Sequence, residues 1–199
     1  FADVTPEEVW QNWQDMSASA GQTVTSTSAE RDGDTLVVSG VTISAEKDGS
    51  SFTSTIDQIN FTDNGDGTVD VTTPDSYEMS LKSPAAKDID GAMPADLKIT
   101  LSQPDMVVTA SGTADALSYE FEGPSVTAKV EPGDTAAEAQ GNFEVALSDL
   151  SGKYLVEGNG EAKKITSDFA AKSLKVTGTG KDEAKKSDVT FNATIADLA

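Results

Sequence analysis

The sequence predicts an all-β protein, a mainly antiparallel meander of about a dozen short strands in a curved sheet or sandwich, with one N-terminal amphipathic α-helix. Three observations lead there. Short runs with period-two alternation recur along the whole chain, separated by Gly, Pro, Asn and Asp turn signals. Helical spacing is confined to one segment near the N terminus. No helix separates successive strands, which excludes parallel βαβ units.

The helix is specified by its start. Thr5 suits the N-cap, Pro6 the first helical position, and Glu8 follows Thr5 at the spacing of a capping box. Val9, Trp10, Trp13 and Met16 form one apolar stripe, and Gly21 supplies a stop, so the helix is expected from Pro6 to about Ala20.

Strands then follow one another. Thr23 to Arg31 ends at the Asp32-Gly33-Asp34 turn, and Thr35 to Ala45 carries Leu36, Val38, Val41 and Ile43. In Phe52 to Phe61 the apolar phase changes after Ile56 and resumes at Ile59, which predicts a bulge near Asp57-Gln58. Asn64-Gly65-Asp66-Gly67 is a strong hairpin turn. Residues 83–96, with Pro84, Gly91 and Pro94, break the rhythm and are read as a loop or short helix between two sub-sheets. Further strands are expected around Ile99, Val108, Tyr119, Ala128, Val145, Leu155, Val176 and Phe191, with turns at Gly112, Gly123-Pro124, Pro132 to Asp134, Ser151-Gly152 and Gly178 to Asp182. The organisation is thus a helix over 1–22 packed on a β domain over 23–199. One short helix cannot cover so many one-faced strands. Their apolar faces must cover each other or curl around something apolar.

Composition removes whole classes of chemistry. The 199 residues include 34 acidic and 14 basic side chains, a net charge of -20, with no cysteine and no histidine. Disulfides, thiolate nucleophiles, Ser-His-Asp triads and Cys- or His-ligated metals are therefore excluded. A sequence pI ≈ 4.1 and a single arginine, Arg31, argue against nucleic acid and anionic membrane surfaces. No apolar stretch is long enough for a transmembrane helix. The lysines cluster late, at Lys163-Lys164, Lys172, Lys175, Lys181 and Lys185-Lys186, and read as a solvated strand face before a docking patch.

The remaining constellations are weak. Asp63 to Gly67 has a faint calcium-loop look, but Thr62 and Thr73 stand where that loop needs carboxylates, so a hairpin turn is preferred and no metal is expected. Glu120 and Glu122 interleave with Tyr119 and Phe121, the pattern of a solvent face opposite a core face rather than an acid–base pair; Asp88 and Asp90 are a second such pair. Asn60-Phe61-Thr62 and Asn192-Ala193-Thr194 match the glycosylation acceptor pattern, which matters only in a eukaryotic secretory protein. No catalytic residue and no cofactor is expected.

The run Ala2-Asp3-Val4-Thr5-Pro6-Glu7-Glu8-Val9-Trp10-Gln11-Asn12-Trp13, with Asp34-Thr35-Leu36-Val37-Val38-Ser39-Gly40-Val41, resembles a group of exported alphaproteobacterial proteins, the domain-of-unknown-function family 2125. The resemblance is tightest over the N-terminal part and supplies no catalytic residues. It implies an envelope location, in the periplasm. Family members are longer, which makes this chain a fragment or a short member. Phe1-Ala2-Asp3 reads either as the trace of a signal-peptide cleavage site or as an arbitrary chain boundary.

The functional expectation is a non-enzymatic periplasmic protein whose one-sided sheet binds a lipid-like apolar ligand. The expected ligand-binding residues are Phe52, Ile56, Tyr119, Phe121, Phe143 and Val145, with Trp10 and Trp13 at one edge. Aromatic residues at helical spacing are usually core, so locking the helix onto the sheet is the preferred role of the two tryptophans over a lid on a ligand. The alternative is a structural or protein-interaction module, with an envelope protein as partner, that pairs through sheet edges. A carboxylate-based hydrolase comes third.

Overall fold

The structure, a computed structural model, describes residues 3–84, 95–133, 141–158, 164–182 and 187–198. It is a mainly antiparallel sheet with one N-terminal helix, as the alternation predicts. Helix α1 spans Pro6–Ser19. The strands are β1 Thr23–Thr25, β2 Ser28–Asp32, β3 Thr35–Lys47, β4 Ser50–Asp63, β5 Val69–Thr72, β6 Ser76–Ser83, β7 Ala95–Ser102, β8 Val107–Thr113, β9 Ala116–Pro132, β10 Gly141–Glu157, β11 Lys164–Asp182 and β12 Ser187–Leu198.

The capping box forms as predicted. The Thr5 amide donates to Glu8 Oε2 at 2.8 Å, and the Glu8 amide donates back to Thr5 Oγ1 at 3.3 Å. Gly21, at φ 75°, turns the chain out of the helix. Arg31 on β2 holds the first helical turn from outside, its Nε donating to Glu7 Oε1 at 2.9 Å. Both side chains of that pair are well exposed, so it guides the helix more than it stabilises it.

All twelve strands belong to one sheet, and three pairs of them lie end to end. β1 and β2 share an edge of β3, β5 and β6 share an edge of β4, and β7 and β8 share an edge of β9. The strands therefore form nine rows, each antiparallel to the next, in a simple meander. Among the described residues no pairing joins the first row to the last. β6 and β7, which flank the irregular stretch, pair directly from Ser76↔Ser102 to Ser83↔Ala95. Residues 85–94, including Asp88 and Asp90, lie outside the described ones.

Three expected turns are instead strand. β9 runs through Gly123-Pro124, β10 through Ser151-Gly152, and β11 through Gly178 to Asp182. Gly152 is kept open for a neighbour: a Cβ there would collide with the Phe121 ring, its partner across the strands. Pro124 lacks an amide, and it sits where the ladder between β9 and β10 skips a pair.

That skip is one point on a line crossing the sheet. Gly40 opposite Asp57, Pro124 opposite Asp149, and Asp149 opposite Lys172 are all missing from otherwise unbroken ladders. The breaks between β1 and β2, β5 and β6, and β7 and β8 fall at the same level. Gly40, Asp105 and Asp149 lie on this line with positive φ of 58°, 56° and 46°. The apolar alternation changes parity across it, from Leu36 and Val38 to Val41 in β3, and from Ile59 and Phe61 to Ile56 in β4. The line is a transverse crease. The predicted irregularity at Asp57-Gln58 belongs to it, although β4 keeps a single register against β3 and the extra residue lies in the opposite row, between Thr72 and Glu78.

The core lies on the concave face, under α1. Phe61 is fully buried, with its ring 5.8 Å from that of Trp10 and 5.5 Å from that of Trp13. Val9, Val38, Val41, Ile59, Val71 and Leu117 complete this layer. Truncation of Phe61→Ala is expected to destabilise the protein by about 3–5 kcal/mol, read as a lower midpoint in urea unfolding. Gly40→Ala tests the crease. It should cost about 1–3 kcal/mol, because a Cβ meets the Thr27 hydroxyl in a backbone already left-handed. Gly33→Ala, at a similar φ with nothing within 4 Å, should cost less.

Candidate functional site

The crease and the helix border an open-sided cavity of ≈ 420 Å³. Trp10, Trp13 and Ser17 of α1 form one wall. Val24 of the first row and Leu150 and Tyr154 of β10 both line it. In a flat sheet the six strand spacings between those rows would separate them by about 29 Å. The sheet therefore curls around the space, and the crease is what permits the curl. The floor is aliphatic and aromatic, with Ile56, Ile59, Val71, Val108, Phe121 and Val126. Polar groups enter where the rows are broken. Gln103 Nε2 donates to Thr73 Oγ1 at 2.6 Å across the gap between the fourth and fifth rows. Among the described residues no lining residue carries a charge.

Beside the cavity lies a buried polar pair. Tyr119 is fully buried, and its hydroxyl donates to Asn12 Oδ1 of the helix at 2.8 Å. The Tyr154 ring stacks on it at 4.6 Å. Burial pushes the phenols of Tyr77, Tyr119 and Tyr154 above their ordinary range. For Tyr119 the neighbouring Tyr154 adds to that push, and the Trp13 indole N–H partly offsets it without forming a well-shaped hydrogen bond.

The eight residues expected to bind a ligand divide by position. Trp10, Trp13, Ile56 and Phe121 line the cavity. Tyr119 is packed in the adjacent core. Phe52 is half-buried on β4 opposite Leu81, and Val145 is half-buried on β10, both away from the cavity. Phe143 is exposed at the far end of β10. Sequence reasoning missed Val71, Val108, Val126, Leu150 and Tyr154, and the polar pair Gln103 and Thr73. The usable signal was the parity change, which recurs in β10 between Leu147 and Leu150 and in β9 between Phe121 and Val126.

Other candidates resolve into structure. Asp63 and Asp66 accept hydrogen bonds from the Gly65 and Thr68 amides within the hairpin turn, and Thr68 holds the Asp66 carboxyl below its ordinary range. Glu120 and Glu122 are exposed, and Glu120 pairs with Lys153 at 3.0 Å. Among the described residues no group of three or more acidic side chains is gathered as a metal site, and no helix is long and apolar enough to cross a membrane.

No family model matches the chain, and no curated protein or solved structure matches it.

Two measurements probe this region. Tyr119→Phe strands the Asn12 amide in the core and should cost about 1–3 kcal/mol, whereas Asn12→Leu combined with Tyr119→Phe should recover much of that loss. Raised tyrosine pKa values mean that the native state keeps protons which the unfolded chain releases above about pH 10. Stability should be full below that pH and fall above it, by up to about 1.4 kcal/mol per pH unit for each tyrosine. In an alkaline titration, tyrosinate absorbance should stay flat until β-sheet circular dichroism is lost.

Proposed function

We propose that the protein is a non-enzymatic binder of a lipid-like apolar ligand, held in the cavity between α1 and the crease. The observation that carries this reading is the cavity itself. Its ≈ 420 Å³ lies within the ordinary range of small-molecule sites, and its walls are apolar apart from a few convergent neutral polar groups. A curved antiparallel sheet without a metal cluster among its described residues accords with a binding role. The periplasmic location and membership of domain-of-unknown-function family 2125 are part of the same proposal, and they rest on the N-terminal residues that resemble those exported proteins.

One observation favours a second reading, a protein-interaction surface. α1 packs mainly on β1, β3 and β4 and reaches β9 through Asn12 and Tyr119, whereas β11 and β12 carry exposed apolar side chains. Ile165, Phe169 and Ile195 there are 56%, 51% and 53% exposed, and they continue the apolar alternation of the concave face. Several large apolar side chains exposed on one face mark a partner or a ligand that extends out of the cavity.

Native mass spectrometry of protein purified without detergent from a periplasmic extract tests the first reading against the second. A bound mass in the lipid range, lost on organic extraction, is the expected outcome. Val108→Trp, which fills the cavity from β8, should reduce that bound mass while keeping the β-sheet circular dichroism. A bare monomer argues against the carrier reading, and a clean dimer or added protein mass favours the interaction surface.

A further inference from the structure

We infer that the cavity selects neutral apolar molecules, with an alcohol, ester or ketone head on a hydrocarbon body, and rejects anionic amphiphiles such as fatty-acid carboxylates. The inference rests on the cavity being a ligand site and adds the chemical class of its ligand. Among the described residues, every polar group on the cavity lining is uncharged: the hydroxyls of Ser17 and Thr73, the amide of Gln103, and the phenols of Tyr77 and Tyr154. Both phenols are held protonated by burial, so neither becomes an anion near neutral pH. A neutral oxygen can join the Gln103–Thr73 hydrogen bond, since hydroxyls and amides both donate and accept. A carboxylate brought to the same place loses its hydration and finds no cation among the described lining residues.

Basic side chains on the surrounding elements are engaged elsewhere. Lys153, one residue from Tyr154, lies on the outward alternation and pairs with Glu120 at 3.0 Å. Lys172, on the crease, lies 3.4 Å from Asp149. Arg31, the single arginine, is engaged outside with Glu7 and the Asp34 carbonyl. The net charge of -20 then repels an approaching anion before any contact is made.

The test uses a medium-chain alcohol and the carboxylate of the same chain length, titrated at neutral pH against the fluorescence of Trp10 and Trp13, both tryptophans being on the cavity wall. The alcohol should bind at least about tenfold more tightly than the carboxylate. Added salt should narrow the gap by screening the protein's charge. Ser17→Lys, which places a cation on the helix wall, should raise carboxylate affinity relative to that of the alcohol and so narrow or reverse the gap. Carboxylate binding as tight as the alcohol to the unaltered protein overturns the selectivity and leaves the ligand site standing. Failure of both to bind overturns the ligand-site reading, and the selectivity with it.

Discussion

The structure depends on one constraint: a sheet whose strands each have a single apolar face must bend without turning that face outward. Alternation ties every side chain to its position in the pleat, so a strand that simply bends keeps its parity, and a strand that slips by one residue exposes its apolar set. The rows meet this by breaking together. Gly40, Asp57, Pro124, Asp149 and Lys172 lie on one line across the sheet, and the apolar positions shift by one residue as they pass it. Because neighbouring rows shift at the same level, the ladders on both sides keep their registers. The positive φ of Gly40, Asp105 and Asp149 is the local cost, and the concave face is what it makes possible.

Helix α1 then settles how that concave face is shared. Fourteen residues can cover only part of a nine-row sheet, and α1 packs on the early rows, where Phe61 wedges between Trp10 and Trp13. Farther along, the face is only partly filled. Next to the helix it forms the cavity, and toward β11 and β12 it is open, with Phe169 and Ile195 about half exposed. Cavity and open face are consequences of the same mismatch between a short helix and a wide sheet.

Polarity is sorted by the same geometry. The convex alternation takes the charges, including Glu120 with Lys153 and Glu157 with Lys164, whose exposed pairs add little stability. Around the cavity the concave side admits neutral, mostly partnered polar groups, as Asn12 with Tyr119 and Thr73 with Gln103, while the charged Arg31, opposite Leu36, stays at the edge row and pairs with Glu7. A strongly acidic protein thereby keeps a cavity whose described lining is uncharged.

By itself the sequence determined the features that depend on neighbours along the chain. The capping box at Thr5 and Glu8, the stop at Gly21, the hairpin turn at Asp63 to Gly67 and the one-faced strands all follow from local spacing. The parity change at Ile56 and Ile59 was legible too, but as a single bulge. Only the tertiary structure decided that it belongs to a crease through every row, because that alignment depends on registers between strands. Gly123-Pro124 and Ser151-Gly152 read as turns for the same reason: what keeps them in strands is a skipped ladder pair and the Phe121 ring of a neighbouring row. Of the expected site, Trp10, Trp13, Ile56 and Phe121 meet at the cavity, while Phe52, Phe143 and Val145 share its face without reaching it. Alternation determines which face a side chain occupies. Where along that face a cavity opens is set by how far α1 reaches and where the sheet bends, and both are long-range packing.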